Sequence, residues 1–527
     1  MKHSIIKTTF VLLSAVVLSA CIGCQTNGEE YTVSVPSPAG IVQITNDLHQ
    51  AYNPYLPSWE YIPDGEPHVF GDRLYVYGSH DAFNGSDFCI NDYVGWSAPL
   101  TDLSDWRFEG VIYKATQDPR NADGDYHMCA PDCVQGKDGR YYIYYQLHKL
   151  QCTSVAVADS PAGPFEFYGY VQHPDGEPWG EKRGDSFVFD PAVLVDDDGK
   201  VYCYAGYSPT DYMRYVFKLR GNKVDGAVCL RLGDDMKTVI GEESFIVPGA
   251  RKAEGTAFEG HGFFEASSIR KIGTKYYYVY SSELSHELCY AVSDFPDKDF
   301  QYGGTIVSIA DLGYKGNQAL LNYTGNTHGG MVDVDGQWYI FYHRQTNKIK
   351  CSRQGCAEKI EILPNGTIPQ VEVTSCGLNK GPLNGKGIYE ARIACNLNGK
   401  DGILSSDDAR KKDKNNDYPF FTQTGTDREN TPDQFIANMK DGAWCGFKYF
   451  QFRGDESSIK VYVCGEATGT FKVSLKPGAA PVAEIAIQPT DHWVDFSADI
   501  KLPEGIAPLY FTYEGEGSLN FYAFEIR

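Results

Sequence analysis

Asp64, Glu66 and His68 fall within five positions of the stretch YIPDGEPHVFGDRLYVYGSHD (residues 61–81), and LYVYGS behind them has the composition of a buried strand. Carboxylates set against buried structure invite general acid–base chemistry, because burial and like charges push the pKa values of neighbouring acids apart. The arrangement recurs along the chain. Hairpin runs centred on Tyr75, Tyr142, Tyr202, Tyr277 and Tyr339 follow the turns FGDR, KDGR, DDGK, KIGTK and VDGQ. Counting back ten to twelve residues from each tyrosine reaches Asp64, Asp132, Asp190, Glu265 and His328. Each acid alone reads equally well as a turn cap or a surface carboxylate. Four carboxyls and a histidine at nearly one offset predict instead a shared site, with an acid and a base side by side. Asp196, Asp197 and Asp198 read as a solvated hairpin turn.

The elements that must position such a set are strands. The anchor tyrosines lie 67, 60, 75 and 62 residues apart, and the chain holds 37 tyrosines, many in short apolar runs between Gly and Asp. A second repeated element follows some of the hairpins, as in GWSAPLTDLSDWRFEG, SVAVADSPAGPFEFYG and CYAVSDFPDKDFQYGG. Five copies of a several-stranded unit with a glycine hairpin predict an all-β fold, a five-bladed β-propeller. The innermost strands of a propeller surround its axis, so equivalent positions on them converge. An irregular β-sandwich with coincidental hairpins is the alternative, and it leaves the recurrence unexplained.

The motifs PDGEPHVFGDRLYVYGS (63–79), APDCVQGKDGRYYIYY (130–145), FDPAVLVDDDGKVYCYAG (189–206), FFEASSIRKIGTKYYYVYSS (263–282) and NTHGGMVDVDGQWYIFYHR (326–344) occur in an order that resembles glycoside hydrolase family 43. The resemblance implies a five-bladed propeller, with Asp64 as general base, Asp190 as the residue that orients and tunes the acid, and Glu265 as general acid. It matches His328 to a central histidine that helps hold a calcium ion or water on the axis, and Arg344 to an arginine that contacts substrate. Asp132, Glu66 and the His80–Asp81 pair complete the expected substrate-contacting set. Here Asp64 is followed by Gly65-Glu66-Pro67 where the family more often has Asp-Pro, so Glu66 competes for the base role. The implied reaction is single-step inversion by an exo-acting enzyme that needs no cofactor for its chemistry, with carboxyls about 6.5–9.5 Å apart to admit a water. The implied activity is that of an α-L-arabinofuranosidase, with β-xylosidase and β-galactofuranosidase as rivals. A catalytically dead, lipid-anchored glycan-binding protein is the reading of another class, and it sits badly with the presence of all three acids.

The hairpin repeat stops near Arg344, and CGLNKGPLNGKG (376–387) joins the propeller region (46–375) to a region of new alternation (383–527) that reads as a β-sandwich of jelly-roll type. Its opening IYEA and ending GSLNFYAFEI resemble a family 6 carbohydrate-binding module. Trp444, Tyr449, Trp493 and Asn520 are the candidate sugar contacts there, though each aromatic reads equally well as core.

A net charge of −22 excludes nucleic acid and anionic membrane surfaces as partners and suits a neutral glycan. Residues 1–20 read as a signal peptide, with a basic start, the apolar stretch TFVLLSAVVLS and the site Leu18-Ser19-Ala20-Cys21. That site resembles a bacterial lipobox. It predicts a lipidated Cys21, a tether over 21–45, and a monomer attached to the cell envelope through its lipid. The other fourteen cysteines are scattered without zinc-like double pairs, and most read as buried thiols.

Overall fold

The computed structural model describes residues 31–37, 40–46, 49–209, 211–406, 417–428 and 433–527. The expected signal segment and Cys21 lie outside the described residues. Within the expected tether, strands Tyr31–Ser37 and Gly40–Asn46 form a hairpin. No helix among the described residues is long and apolar enough to cross a membrane.

Five antiparallel sheets form the blades of a propeller. The first comprises Glu66–Phe70, Arg73–Tyr77, Tyr93–Pro99 and Arg107–Tyr113. The second comprises Met128–Gln135, Tyr141–Leu147, Thr153–Ala158 and Glu166–Tyr170. The third runs Ala192–Val195, Val201–Gly206, Gly226–Leu232 and Ser244–Pro248. The fourth runs Phe263–Ile272, Lys275–Ser282, Glu287–Ser293 and Gln301–Ser308. The fifth has three strands, Met331–Val334, Gln337–Gln345 and Arg353–Ile360. The first strands of successive blades contact one another, and that of the fifth contacts that of the first, so the ring is closed. Gly65 and Gly329 form a bridge at the closure.

All five anchor tyrosines lie on second strands, as the repeat predicts. The turns before them hold Gly71, Gly139, Gly199, Gly273 and Gly336 at φ between 61° and 86°, where a side chain is strained. Tyrosine suits this architecture because its ring fills the space between blades while its hydroxyl reaches a partner. Tyr202 and Tyr204 of the third blade pack with Tyr276, Tyr278 and Tyr280 of the fourth. Tyr204 donates to the Pro296 carbonyl and Tyr77 to the Pro161 carbonyl, each at 2.7 Å.

Residues from Leu383 onward form two facing sheets. One contains Trp444–Phe452, Gly505–Gly517, Ala467–Ser474 and Ala483–Ile487, and the other Phe420–Gln423, Gln434–Met439, Leu519–Ile526, Ser458–Gly465 and Thr490–Asp499. Phe447, Phe471, Phe511, Phe521 and Phe524 fill the space between them. This sandwich is bolted to the propeller by polar contacts. Lys448 pairs with Asp311 and Glu372, Tyr61 donates to Gln423, and Arg428 pairs with Glu60.

Candidate active site

Strand register sorts the axial residues into two layers. Glu66, Asp132 and Ala192 pair with Tyr77, Tyr144 and Tyr204, each two residues beyond its anchor tyrosine. Ser268 pairs with Val279 at the same level, and Gly330 stands opposite Phe341. Two residues earlier on each blade lie Asp64, Ala130, Asp190, Ala266 and His328. Four of these five have a left-handed backbone, with φ of 57° at Asp64, 34° at Ala130, 50° at Asp190 and 70° at Ala266. Asp tolerates that conformation better than most residues.

The register corrects the single-offset count. Asp132 belongs to the lower layer, where its level with Asp64 and Asp190 is taken by Ala130. Its Oδ1 is 2.6 Å from His68 Nε2, and its Oδ2 accepts from the Val193 backbone N–H at 2.7 Å. It therefore braces three inner strands instead of lining a substrate pocket. Glu66 is also in the lower layer and 1 % exposed, with Oε2 bonded to Arg270 at 2.9 Å and Ser268 at 3.1 Å. Burial, with the Asp132 charge outside its Arg270 pair, pushes its carboxyl up to about 8. Gly330 makes room for it, because a Cβ there would lie 2.4 Å from Glu66 Oε2.

The upper layer holds the candidate acid and base. Burial alone would raise the Asp64 carboxyl, but the Arg353 guanidinium, donating to Oδ1 at 2.8 Å, more than offsets this and holds it below the usual range. His343 is a neutral brace. Its Nε2 donates to the Asn326 carbonyl at 2.8 Å, which leaves Nδ1 to accept the Asp64 backbone N–H at 3.3 Å. Glu265, partly exposed and adjacent to Ala266, is raised to about 7 by burial and by the Asp64 charge. Asp190 is raised well above the usual range by burial and by its neighbours Glu265 and Asp64, while its Oδ2 accepts the Ala266 N–H at 3.0 Å. Arg353 thus keeps Asp64 ionised, while burial and the neighbouring charges push Glu265 and Asp190 toward their protonated forms.

Asp81 stands behind this pair. Its carboxylate accepts from Arg353 Nε at 2.7 Å and Nη2 at 3.0 Å, the fork-to-fork geometry that fixes a guanidinium. His80 points elsewhere, with Nδ1 donating to the Asp92 carbonyl and Nε2 facing Glu60 and Arg428. Both were expected to touch substrate, yet both are buried and act as supports. Arg344 does not join the acids either. It stacks over Phe421 at 3.7 Å and donates to the Ala394 carbonyl and to Gln354, so it faces the sandwich. Strand alternation explains the difference: His343 and Arg353 share one face of their hairpin, whereas Arg344 and Gln354 share the other. Arg353, His343 and Asn326, whose side chain bonds Glu265, escaped the sequence reading. So did Tyr207, which packs with Phe189 and Phe264 as a partly exposed aromatic wall next to Glu265 and Asp190.

The axial cation expected from the resemblance has two candidate ligand atoms, His328 Nε2 and Glu66 Oε1, each buried without a hydrogen-bond partner. One imidazole nitrogen and one carboxylate oxygen fit calcium only if water completes its oxygen shell. In the sandwich, Trp493 packs against Phe435 and Tyr522, Trp444 against Tyr510, and Tyr449 donates to Glu372. Asn520 lines an open cleft with Asp417, Asn438, Lys440 and Ser518. Trp493 and Asn520 belong to one sheet and Trp444 and Tyr449 to the other, so the four do not form one platform. The thirteen described cysteines are free thiols, most of them buried.

The sequence profile of glycosyl hydrolases family 43 matches residues 69–368. A xylosidase/arabinosidase of Thermoclostridium stercorarium is 51 % identical over 482 residues, covering 90 % of this chain and 99 % of that protein. Xylosidase/arabinosidase 43A of Humicola insolens is 32 % identical over 318 residues, 54 % of this chain and 88 % of that one. A Bacteroides ovatus xylosidase/arabinosidase is 32 % identical over 317 residues, 55 % and 87 % of the two chains. An alignment of 482 residues is longer than the propeller, so the first relative matches the sandwich as well.

Proposed function

The chain belongs to glycosyl hydrolase family 43, and from that premise we propose that it is an exo-acting, inverting glycosidase that releases terminal α-L-arabinofuranosyl units from polysaccharide side chains. Asp64 acts as the base, Glu265 as the acid, and Asp190 positions the acid's strand through Ala266. One observation carries the assignment: in a single layer of the propeller, Asp64 is held ionised by Arg353 while Glu265 keeps its proton to about pH 7. A base and an acid of that kind are what displacement by water requires. β-Xylosidase activity is the second reading, favoured by the double name of the 51 % identical relative. Initial rates on nitrophenyl arabinofuranoside, xyloside and galactofuranoside decide between them.

Glu265→Gln keeps shape and removes the transferable proton. A loss of about 10²–10⁴-fold is expected on natural glycosides. The loss should be smaller on nitrophenyl glycosides, whose leaving group needs little protonation. An equal loss on both removes Glu265 from the acid role. Inversion is read from the anomer first formed, followed by NMR. Calcium, held through water by His328 and Glu66, would serve the axis as a structural charge and leave the proton transfers to the carboxyls. The lipidated Cys21 places the enzyme on the cell envelope in this reading, and mass spectrometry of the mature N-terminus tests it. The sandwich serves as a support. Any glycan it binds is expected at the Asn520 cleft, which titration with arabinan and xylan oligosaccharides checks.

A further inference from the structure

His261, Glu287 and Cys289 converge at one point of the fourth blade and take no part in the proposed reaction. Glu287 and Cys289 are two residues apart on one strand, so their side chains leave the same face. His261 comes from the segment that leads into the blade's first strand. Its Nδ1 lies 2.7 Å from Glu287 Oε1, and Cys289 Sγ lies 3.3 Å from that oxygen and 3.9 Å from the nitrogen. Around a tetrahedral zinc ion, bonds of about 2.3 Å to sulfur and about 2.0–2.2 Å to nitrogen and oxygen set the ligand-to-ligand edges at about 3.3–3.6 Å. The two sulfur edges fit within about 0.3 Å, and the short nitrogen–oxygen edge is a hydrogen bond that opens when a metal replaces its proton.

The surroundings are those of a held ligand set. Thr305 donates to Glu287 Oε2 at 2.9 Å and Ser282 to Oε1 at 2.7 Å. The His261 ring stacks on Tyr302 at 5.1 Å. Such outer contacts fix ligand orientation before the metal arrives. Cys289 is fully buried, whereas the His261 side chain is 34 % exposed, which leaves an entry route and a fourth position for water. Imidazole with thiolate selects a zinc-class ion over calcium or magnesium.

We propose that His261 Nδ1, Glu287 Oε1 and Cys289 Sγ form a divalent-metal site of the zinc class. Binding displaces the proton between His261 and Glu287 and the thiol proton of Cys289. It clamps residues 261–265, the segment ending in the candidate acid Glu265. The site does not depend on the glycosidase reading.

The test uses the full mature chain, stripped with a chelator and titrated with Co²⁺ as a spectroscopic probe, then with Zn²⁺. One equivalent of Co²⁺ should give tetrahedral ligand-field bands with a thiolate-to-cobalt charge-transfer band, and Zn²⁺ should displace it and raise Tm. Cys289→Ser should abolish the charge-transfer band, and His261→Gln should weaken binding about tenfold or more. Since His261 is partly exposed, H261Q carries the test if C289S fails to fold. A wild-type chain with no charge-transfer band overturns the proposal. So does a band that survives in either variant with unchanged affinity, because the metal would then sit on other cysteines.

Discussion

At the residue scale the site turns on one buried guanidinium, Arg353, shared by Asp64 and Asp81, beside two carboxyls, Glu265 and Asp190, that burial and like charge push toward protonation. The activity profile should therefore be bell-shaped, with kcat/KM falling as pH rises through about 7, where Glu265 loses its proton. The acid limb should lie below the ordinary aspartate range, because Arg353 keeps Asp64 ionised there. Burial and the neighbouring Glu265 and Asp64 push Asp190 toward its neutral form, so Asp190→Asn exchanges one neutral group for another. The amide oxygen can still accept from Ala266, and the alkaline limb should move little while kcat falls. A limb displaced to lower pH would mean that Asp190 is ionised and tunes the acid by its charge. Arg353→Met should be worse for the fold than any acid substitution. It leaves Asp64 and Asp81 buried without their cation, a loss of about 3–5 kcal/mol in urea unfolding. It should also raise the acid limb. The acids were legible in the sequence but their cation was not, since Arg353 meets Asp64 across 289 residues and no local pattern marks the encounter.

At the scale of strands and turns, much was legible, because glycine hairpins and paired tyrosines repeat with a period that only a propeller explains. The register at the axis was not legible. The hairpin loops hold five residues in the second and third blades and two in the others, which changes the count from tyrosine to axis by a residue and sets Asp132 a layer below its apparent equivalents. A bulge between Glu265 and Ser268 leaves Glu265 opposite Ser281, four residues beyond its tyrosine, with Ala266 beside it. The alternation that turns His343 inward and Arg344 outward was equally invisible without knowing which face of the fifth blade meets the axis. The closure of the ring gives a test at this scale. A Cβ on Gly329 would lie 2.0 Å from the Phe341 carbonyl oxygen, which is backbone and has nowhere to go. Gly336, in contrast, needs its glycine only for a φ of 86° and has open space around it. Gly336→Ala should cost about 1–2 kcal/mol, the penalty for left-handed backbone. Gly329→Ala should cost about 3 kcal/mol or more, the upper end for overpacking, and lower activity by loosening Asp64 next to the bridge. Chemical denaturation of the two variants side by side measures the difference.

At the scale of the whole molecule the question is why an enzyme whose acids all lie on the propeller carries a second domain. The contacts answer in terms of buried charge. Lys448 of the sandwich is 1 % exposed, and its ammonium lies 3.2 Å from Asp311 and 2.8 Å from Glu372, both on the propeller side. Asp311 in turn accepts the Val373 N–H, and Arg428 reaches from the sandwich to Glu60 beneath the first blade. Tyr52, which precedes the propeller, packs into the sandwich core. The sequence marks the join only as a Gly- and Asn-rich stretch between two β regions. The structure instead sets separate ion pairs across the join, Lys448 with Asp311 and Glu372 and Arg428 with Glu60. Removing the sandwich would strip Asp311, Glu372 and Glu60 of their cations and expose the apolar face around Phe421. The truncated propeller (residues 49–375) should therefore be less stable and prone to aggregate even though every acid is present, and its activity should fall with its folded fraction. Lys448→Met tests the same idea without deletion. It fills the space but leaves two carboxylates unpaired, so a loss of about 3–5 kcal/mol is expected, with a Tm that recovers in part as pH falls and those carboxyls take up protons. An undiminished Tm for K448M, or a fully stable and active truncated propeller, would show that the two domains merely touch.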